Sequence, residues 1–335
     1  MPDTAEAPAG IAEDLINWAA KHIGFFSPPP KKKRADKAKA EVIGSAQKKR
    51  AGDTYKELSK EDQTKFDGLK KSAKNDTEKS YLDKALASQY SVKDIESFAK
   101  KINGKDAKWM QDNLKLTGNS KGEGIKQQWQ DSCNATTVQA IRGQLDPIYA
   151  LKLHEENEDV SKASTDPSVA KPDVKNKKLA AEQKSWLESK TDGTGHAGKA
   201  VARGKGGGSG RWGADLMNNL SDVTGVEYTN QIVDGTKYKL DDAIKDINKG
   251  LKVGHPVPIV IGNPSNPNQR FQHYVLVTGA TSDAKSWLIH DPYGGKMHTV
   301  TLANIKANKV NVAGCSTLTA LDTPATKKAI KKKSK

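Results

Sequence analysis

Gln127-Gln128-Trp129-Gln130-Asp131-Ser132-Cys133-Asn134-Ala135-Thr136-Thr137-Val138-Gln139-Ala140-Ile141 opens on glutamines and reaches a cysteine where a helical pattern begins. Asp131 and Ser132 are both good N-cap residues. After them Ala135, Val138, Ile141 and Leu145 recur at steps of three and four, one apolar helix face. Cys133 therefore falls in the first turn, where unpaired backbone N–H groups and the helix dipole favour a thiolate over a thiol. Gln127, six positions upstream, can lean over the same sulfur and donate a hydrogen bond. That is the layout of a cysteine nucleophile with half an oxyanion hole attached. A lone cysteine more often only packs, so a matching histidine elsewhere has to decide.

The histidine comes from the C-terminal half. Phe271, His273, Val275 and Val277 share one strand face. A turn around Thr281-Ser282-Asp283-Ala284 reverses the chain into Trp287-Leu288-Ile289-His290-Asp291-Pro292-Tyr293. With the turn centre between Ser282 and Asp283, His273 falls opposite Pro292, one step from Asp291. Cross-strand neighbours come within ~5 Å between Cβ atoms. Asp291 can then accept a hydrogen bond from His273, fix its tautomer and support an imidazolium whose other nitrogen faces the sulfur. His290 alternates to the face opposite Asp291, His255 sits in a Gly-His-Pro turn, and His154, His196 and His298 have no partner pattern. Cys315 lies in an apolar strand and reads as core. No spacing of Cys, His and carboxylates matches a zinc site, and neither metal nor cofactor is expected.

The chain of 335 residues is long enough for a normal core plus appendages. Its 35% hydrophobic content and mean hydropathy of −0.74 imply long polar segments as well. Two cysteines exclude a disulfide-dense scaffold. No apolar run approaches the ~20 residues needed to span a bilayer. The N-terminal residues lack a basic and then an apolar region, so no Sec signal peptide is expected. The net charge of +15 is concentrated in two places: residues 31–50 carry +7 and residues 327–335 carry +6. The basicity therefore sits in tails, which can touch nucleic acid or anionic surfaces non-specifically, while the folded part is nearly neutral.

Read in order, residues 1–52 are an amphipathic helix (Ile11 to Phe26) followed by a basic Pro/Lys linker. Residues 53–117 form an all-helical module, with Asp53, Asp76 and the Ser91/Asp94 pair as caps and Gly104 as a stop. Residues 118–323 form an α+β domain interrupted by a mobile insertion at about 164–210, inside which a helix around Leu179 to Trp186 stands out. Leu240, Ile244 and Ile247 form a helix stripe stopped by Gly250. Segments 258–261, 271–279, 287–291, 297–302 and 310–321 read as an antiparallel sheet. Residues 324–335 are a basic tail. Gly193 to Ala200 is one residue short of a phosphate-binding loop and has no strand before it, so no nucleotide site is expected.

Gln127 with Cys133, Phe271-Gln272-His273-Tyr274-Val275-Leu276-Val277, and Ile289-His290-Asp291-Pro292-Tyr293-Gly294-Gly295 together resemble papain-like cysteine peptidases, closest to the bacteriocin-leader (double-glycine) peptidase-like group. The likeness covers about Gly118 to Leu321. It implies a papain-like fold with a helical lobe carrying Cys133 and an antiparallel sheet carrying His273 and Asp291. It also implies a Cys133 nucleophile, His273 as general base and acid, Asp291 as orienting carboxylate, and Gln127 as oxyanion donor. Family members commonly have Gly or Trp after the nucleophile, where this chain has Asn134. The expected function is a cysteine protease acting on a protein or peptide substrate. By analogy it is a bacterial toxin or effector, made in the bacterial cytoplasm and delivered outside or into a target cell, with delivery machinery or an immunity partner. Two alternatives stand beside it: amidase, deamidase or acyl-transfer chemistry with the same triad, and a non-enzymatic adaptor or nucleic-acid binder.

Overall fold

The computed structural model describes residues 42–128, 132–162, 176–188, 220–263, 265 and 272–326. The amphipathic helix expected at 11–26, Trp129, Gln130, Asp131, the glycine-rich segments at 193–210, Phe271 and the last nine residues lie outside them.

The chain begins with five helices, α1 (Ser45–Lys56), α2 (Lys60–Ser72), α3 (Asp76–Ala87), α4 (Val92–Ile102) and α5 (Ala107–Asn113). Their starts follow from local capping. Ser59 accepts from the Asp62 N–H, Asn75 from Glu78, Ser91 from Asp94 and Asp106 from Trp109. The cap at Ser91 falls where the sequence places it. Asp53 instead lies inside α1, and Asp76 is the first residue of α3 behind its cap Asn75. In α4 the residues Val92, Ile95, Phe98 and Ile102 are all buried, one apolar stripe. That stripe meets Phe66, Tyr81, Leu82, Leu86, Met110 and Leu114 in one core.

Next come α6 (Cys133–Leu145), α7 (Pro147–Glu155), α8 (Lys177–Glu188) and the single turn α9 (Ser221–Thr224). Asp146 is fully buried and caps α7 by accepting the Tyr149 N–H at 3.0 Å, with Pro147 in the first turn. Tyr90, after α3, donates its hydroxyl to the same carboxylate at 2.9 Å. Gln47 of α1 and Ser88 both donate to the Leu145 carbonyl, satisfying the C-terminus of α6. Leu151 of α7 completes the core of the first five helices. The helices before and after residue 118 are therefore joined by shared core and buried polar bonds.

The remaining elements are β1 (Val226–Ile232), α10 (Leu240–Val253), β2 (Val257–Gly262), β3 (His273–Ala280), β4 (Ser286–Asp291), β5 (Lys296–Thr301), α11 (Leu302–Lys306) and β6 (Thr317–Thr326). The strands form one antiparallel sheet in the order β1-β6-β2-β3-β4-β5. One face of β3 offers Leu276 to Val138, Ile141 and Leu145 of α6. The other face of the sheet carries Val275 and Val277 of β3 with Trp287 and Ile289 of β4 against Ile244, Ile247 and Leu251 of α10. The result is an α+β, papain-like arrangement, with the helical lobe on one side and the sheet on the other.

Four details differ from the sequence reading. Gly250 sits buried inside α10, which runs on until Gly254 adopts the left-handed conformation at φ 91°. Strand β1 carries no clean alternation, and its pairing with β6 extends that strand through Thr326, so residues 324–326 are sheet and not tail. Residues 310–316 form a bridged loop instead of the start of that strand. Within the span read as a mobile insertion, α8 buries Leu179, Ala180 and Gln183, so this helix belongs to the core.

Candidate active site

Cys133 is the first residue of α6, and Ser132 is its N-cap. The cysteine is half-buried and packs against Val260, Tyr274 and Ala320. Tyr274 is the neighbour of His273, so the start of α6 lies beside the start of β3. Asn134, in the position following the cysteine, is buried and folds its side-chain oxygen back to accept the Ala135 N–H at 2.7 Å.

His273 is 8% exposed, and its Nε2–H donates to Asp291 Oδ1 at 2.7 Å. The Cys133 sulfur acts on the same imidazole, favouring its charged form. Burial alone would push the imidazolium to lower pKa. The Asp291 bond and the Cys133 sulfur outweigh it and raise the group to about 9. For Asp291 burial favours the neutral acid, but His273, His298 and the Tyr293 N–H hold its carboxyl far below the usual carboxylate range. The pair is thus an imidazolium and a carboxylate at neutral pH.

The hairpin reaches this contact by a route the sequence does not reveal. Near its turn, Ala280 faces Trp287 and Gly279 faces Leu288. The register then shifts, with Thr278 as the extra residue, and Val277 faces Ile289 while Leu276 faces His290. Carried one step on, this sets Val275 against Asp291, so Asp291 shares a face with Val275 and His273. Pairing His273 with Pro292, as the sequence suggests, would put histidine and aspartate on opposite faces. The bulge at Thr278 aligns them.

Gln127 is buried, and its backbone N–H donates to the Pro292 carbonyl at 2.9 Å, one residue past Asp291. The Gly124 N–H donates to the Gly295 carbonyl at 2.7 Å. A Cβ on Gly295, whose φ is +64°, would meet Lys126 Cγ at 2.4 Å and the Gly124 carbonyl at 2.9 Å. The Asp291-Pro292-Tyr293-Gly294-Gly295 turn therefore carries the carboxylate and cradles the glutamine segment at once. Of the other glutamines, Gln128 turns its side-chain amide onto the carbonyls of Lys126 and Lys162. Gln130 lies outside the described residues.

Three contributors escape a reading of the sequence. His298, opposite Ile289 on β5, brings Nε2 to 3.8 Å from Asp291 Oδ2. His290 is fully buried, pushed down by burial to about 4 and hence neutral, and its Nε2–H donates to the Ile125 carbonyl at 3.1 Å. Gln183 of α8 contacts the segments on both sides of the undescribed residues 129–131. The register of β4 with β5 would have exposed His298, but no short-range pattern marks His290 or Gln183. Cys315 is buried in the sheet core. Among the described residues no group of three or more His, Cys, Asp or Glu is placed to hold a metal ion. No helix among them is long and apolar enough to cross a membrane.

No curated protein matches this chain in sequence. A family model, described as the Peptidase_C39 like family, matches residues 124–315, more than half of the chain. That span starts at the glutamine segment, takes in Cys133, His273 and Asp291, and ends at Cys315. The chain belongs to the Peptidase_C39 like family.

Proposed function

We propose that the protein hydrolyses peptide bonds through Cys133, His273 and Asp291, with Gln127 as an oxyanion donor. The observation that carries this is His273 held at 2.7 Å by Asp291 while its neighbour Tyr274 packs against Cys133 at the start of α6. The Cys133 thiolate attacks the substrate carbonyl carbon and forms the C–S bond. The carbonyl oxygen takes the negative charge and is held by the Gln127 side chain and the Cys133 backbone N–H, an effect worth ~3–4 kcal/mol in comparable sites. As the tetrahedral species collapses, the C–N bond breaks and His273 gives its proton to the leaving amine. A thioester remains. Water then attacks it, His273 takes the water proton, the C–S bond breaks, and the acid product leaves the thiolate behind. Asp291 holds the imidazole ring and supports its positive charge in both halves.

Substitution tests the assignment. Cys133→Ala and His273→Ala are each expected to remove the new N-termini that the wild type generates in a heat-denatured bacterial lysate, a loss of ~10⁴-fold or more. The fold should persist in both. Wild-type-like cleavage by either folded variant would sink the assignment. Thioester formation is common to side-chain amidases and acyl transferases, so the same samples are assayed for ammonia. Cys133-dependent ammonia release without new N-termini would move the protein to that chemistry. For the biological role we propose a cytoplasmically made effector acting on target-cell proteins, from the basic segments at 31–50 and 327–335 flanking the peptidase unit. Expression of the wild type, but not of Cys133→Ala, should then arrest growth of a sensitive cell, and equal growth with both would remove this role.

A further inference from the structure

The proposed oxyanion donor and the proposed nucleophile sit on different segments, Gln127 on the loop before α6 and Cys133 at the start of α6. They are six positions apart, and catalysis needs their relative position held to well within an ångström. Hydrogen bonds from the sheet side hold the glutamine stretch: Gly295 and Pro292 accept from Gly124 and Gln127, and His290 donates to Ile125. None of these touches α6.

The amide of Gln183 does touch both. This side chain is fully buried on α8. Its Oε1 accepts from the Gln128 backbone N–H at 2.8 Å and from the Ser132 hydroxyl at 3.0 Å. Its Nε2 donates to the Lys126 carbonyl at 3.2 Å and to Gln139 Oε1 at 2.9 Å. Lys126 and Gln128 flank Gln127; Ser132 precedes Cys133; Gln139 lies further along α6. One buried amide thus joins the residues on either side of the oxyanion donor to the N-cap of the nucleophile helix. Ser132 makes no side-chain cap to its own helix, and its hydroxyl donates to Gln183. Gln183 is in turn fixed from behind, since Gln139 also donates to Glu182 Oε2 at 2.8 Å and Leu179 and Ala180 anchor α8 in the core.

We infer that Gln183 is a positioning residue for the hydrolysis, a clamp that sets Gln127 against the Cys133 sulfur and makes α8 part of the catalytic unit. The inference rests on the peptidase reading above. It concerns oxyanion geometry and leaves the Cys133–His273 contact alone, which sets the test. The probe is the peptide that wild type cuts fastest in the denatured lysate, made synthetically. Gln183→Met keeps side-chain length without the polar atoms. It is expected to lower kcat about 10- to 100-fold while KM stays within about threefold. Alkylation of Cys133 by iodoacetamide, which needs no oxyanion hole, should stay within about twofold of wild type. Gln183→Glu keeps the accepting oxygen for Gln128 and Ser132 and should retain more of kcat than Gln183→Met; it serves as the measurement if the methionine variant does not fold. Wild-type kcat in a folded Gln183 variant would overturn the inference, as would equal losses in cleavage and alkylation, which would place the damage at the sulfur. No cleavage by the wild type itself would instead sink the peptidase reading.

Discussion

At the residue scale the chemistry turns on how His273 is held. Its pKa of about 9 results from a contest in which the Asp291 bond and the Cys133 sulfur beat burial. A raised folded-state value means that the stabilising contribution of this imidazolium is full below its ordinary value near 6.5 and is lost as pH rises through about 9. Peptide hydrolysis, which needs the His273 proton for the leaving amine, is expected to show an alkaline limb near that pH. Asp291→Asn removes the negative charge, so the limb should move to lower pH and the rate should drop about 10²-fold, less than in Cys133→Ala. A pH–rate profile of both proteins checks this, and an unmoved limb would contradict the pairing. The residue types for the site were readable from the sequence, because a helix-start cysteine and a strand histidine carry their own local signals. Their alignment was not. It depends on one extra residue, Thr278, whose effect is to turn a whole strand segment over.

At the scale of elements, one turn and one helix organise the site. The 291–295 turn presents Asp291 on one side and receives the 124–127 segment on the other. Gly295 allows that approach by lacking a Cβ and by holding φ +64°. Gly295→Ala is expected to destabilise the protein by about 2–4 kcal/mol, from left-handed strain plus the collision with a backbone carbonyl. In the fraction still folded, cleavage should fall more than iodoacetamide alkylation of Cys133, because the displaced segment carries Gln127. Denaturant melts together with the two rates check this. Helix α8 was visible as a helix, but its polar, lysine-rich surroundings read as an insertion. Only the tertiary contacts of Leu179 and Gln183 reveal it as core. Strand β1 leaves no clear sequence signal because its burial alternates only over the first four residues, too short a pattern to separate from a loop.

At the scale of the molecule, the first five helices are bound to the peptidase unit by buried polar groups as well as by packing. Arg50 of α1 is buried; its Nε donates to the Ala87 carbonyl at 2.6 Å and its Nη2 to the Asp222 carbonyl of α9. Gly225 leaves room for that side chain, since a Cβ there would strike Arg50 Cδ at 2.5 Å. Arg50→Met should cost about 2–4 kcal/mol by orphaning both carbonyls. Because Leu151 completes the core of the first five helices, the helices and the sheet are expected to unfold in one transition. Two separated calorimetric transitions would contradict this coupling. The sequence divided the chain near residue 118, where the helical pattern ends, because long-range bonds such as Gln47 to Leu145 leave no local trace.

The central claim, chemistry through a thioester on Cys133, is tested most directly by trapping that intermediate. Wild type is mixed with its best-cut peptide, quenched in acid during turnover and digested for mass spectrometry. The account requires the Cys133 peptide to gain the mass of the N-terminal product fragment less water, and hydroxylamine to remove it. Turnover with the acyl mass on another residue, or with none on Cys133 while His273→Ala still cleaves, would contradict it.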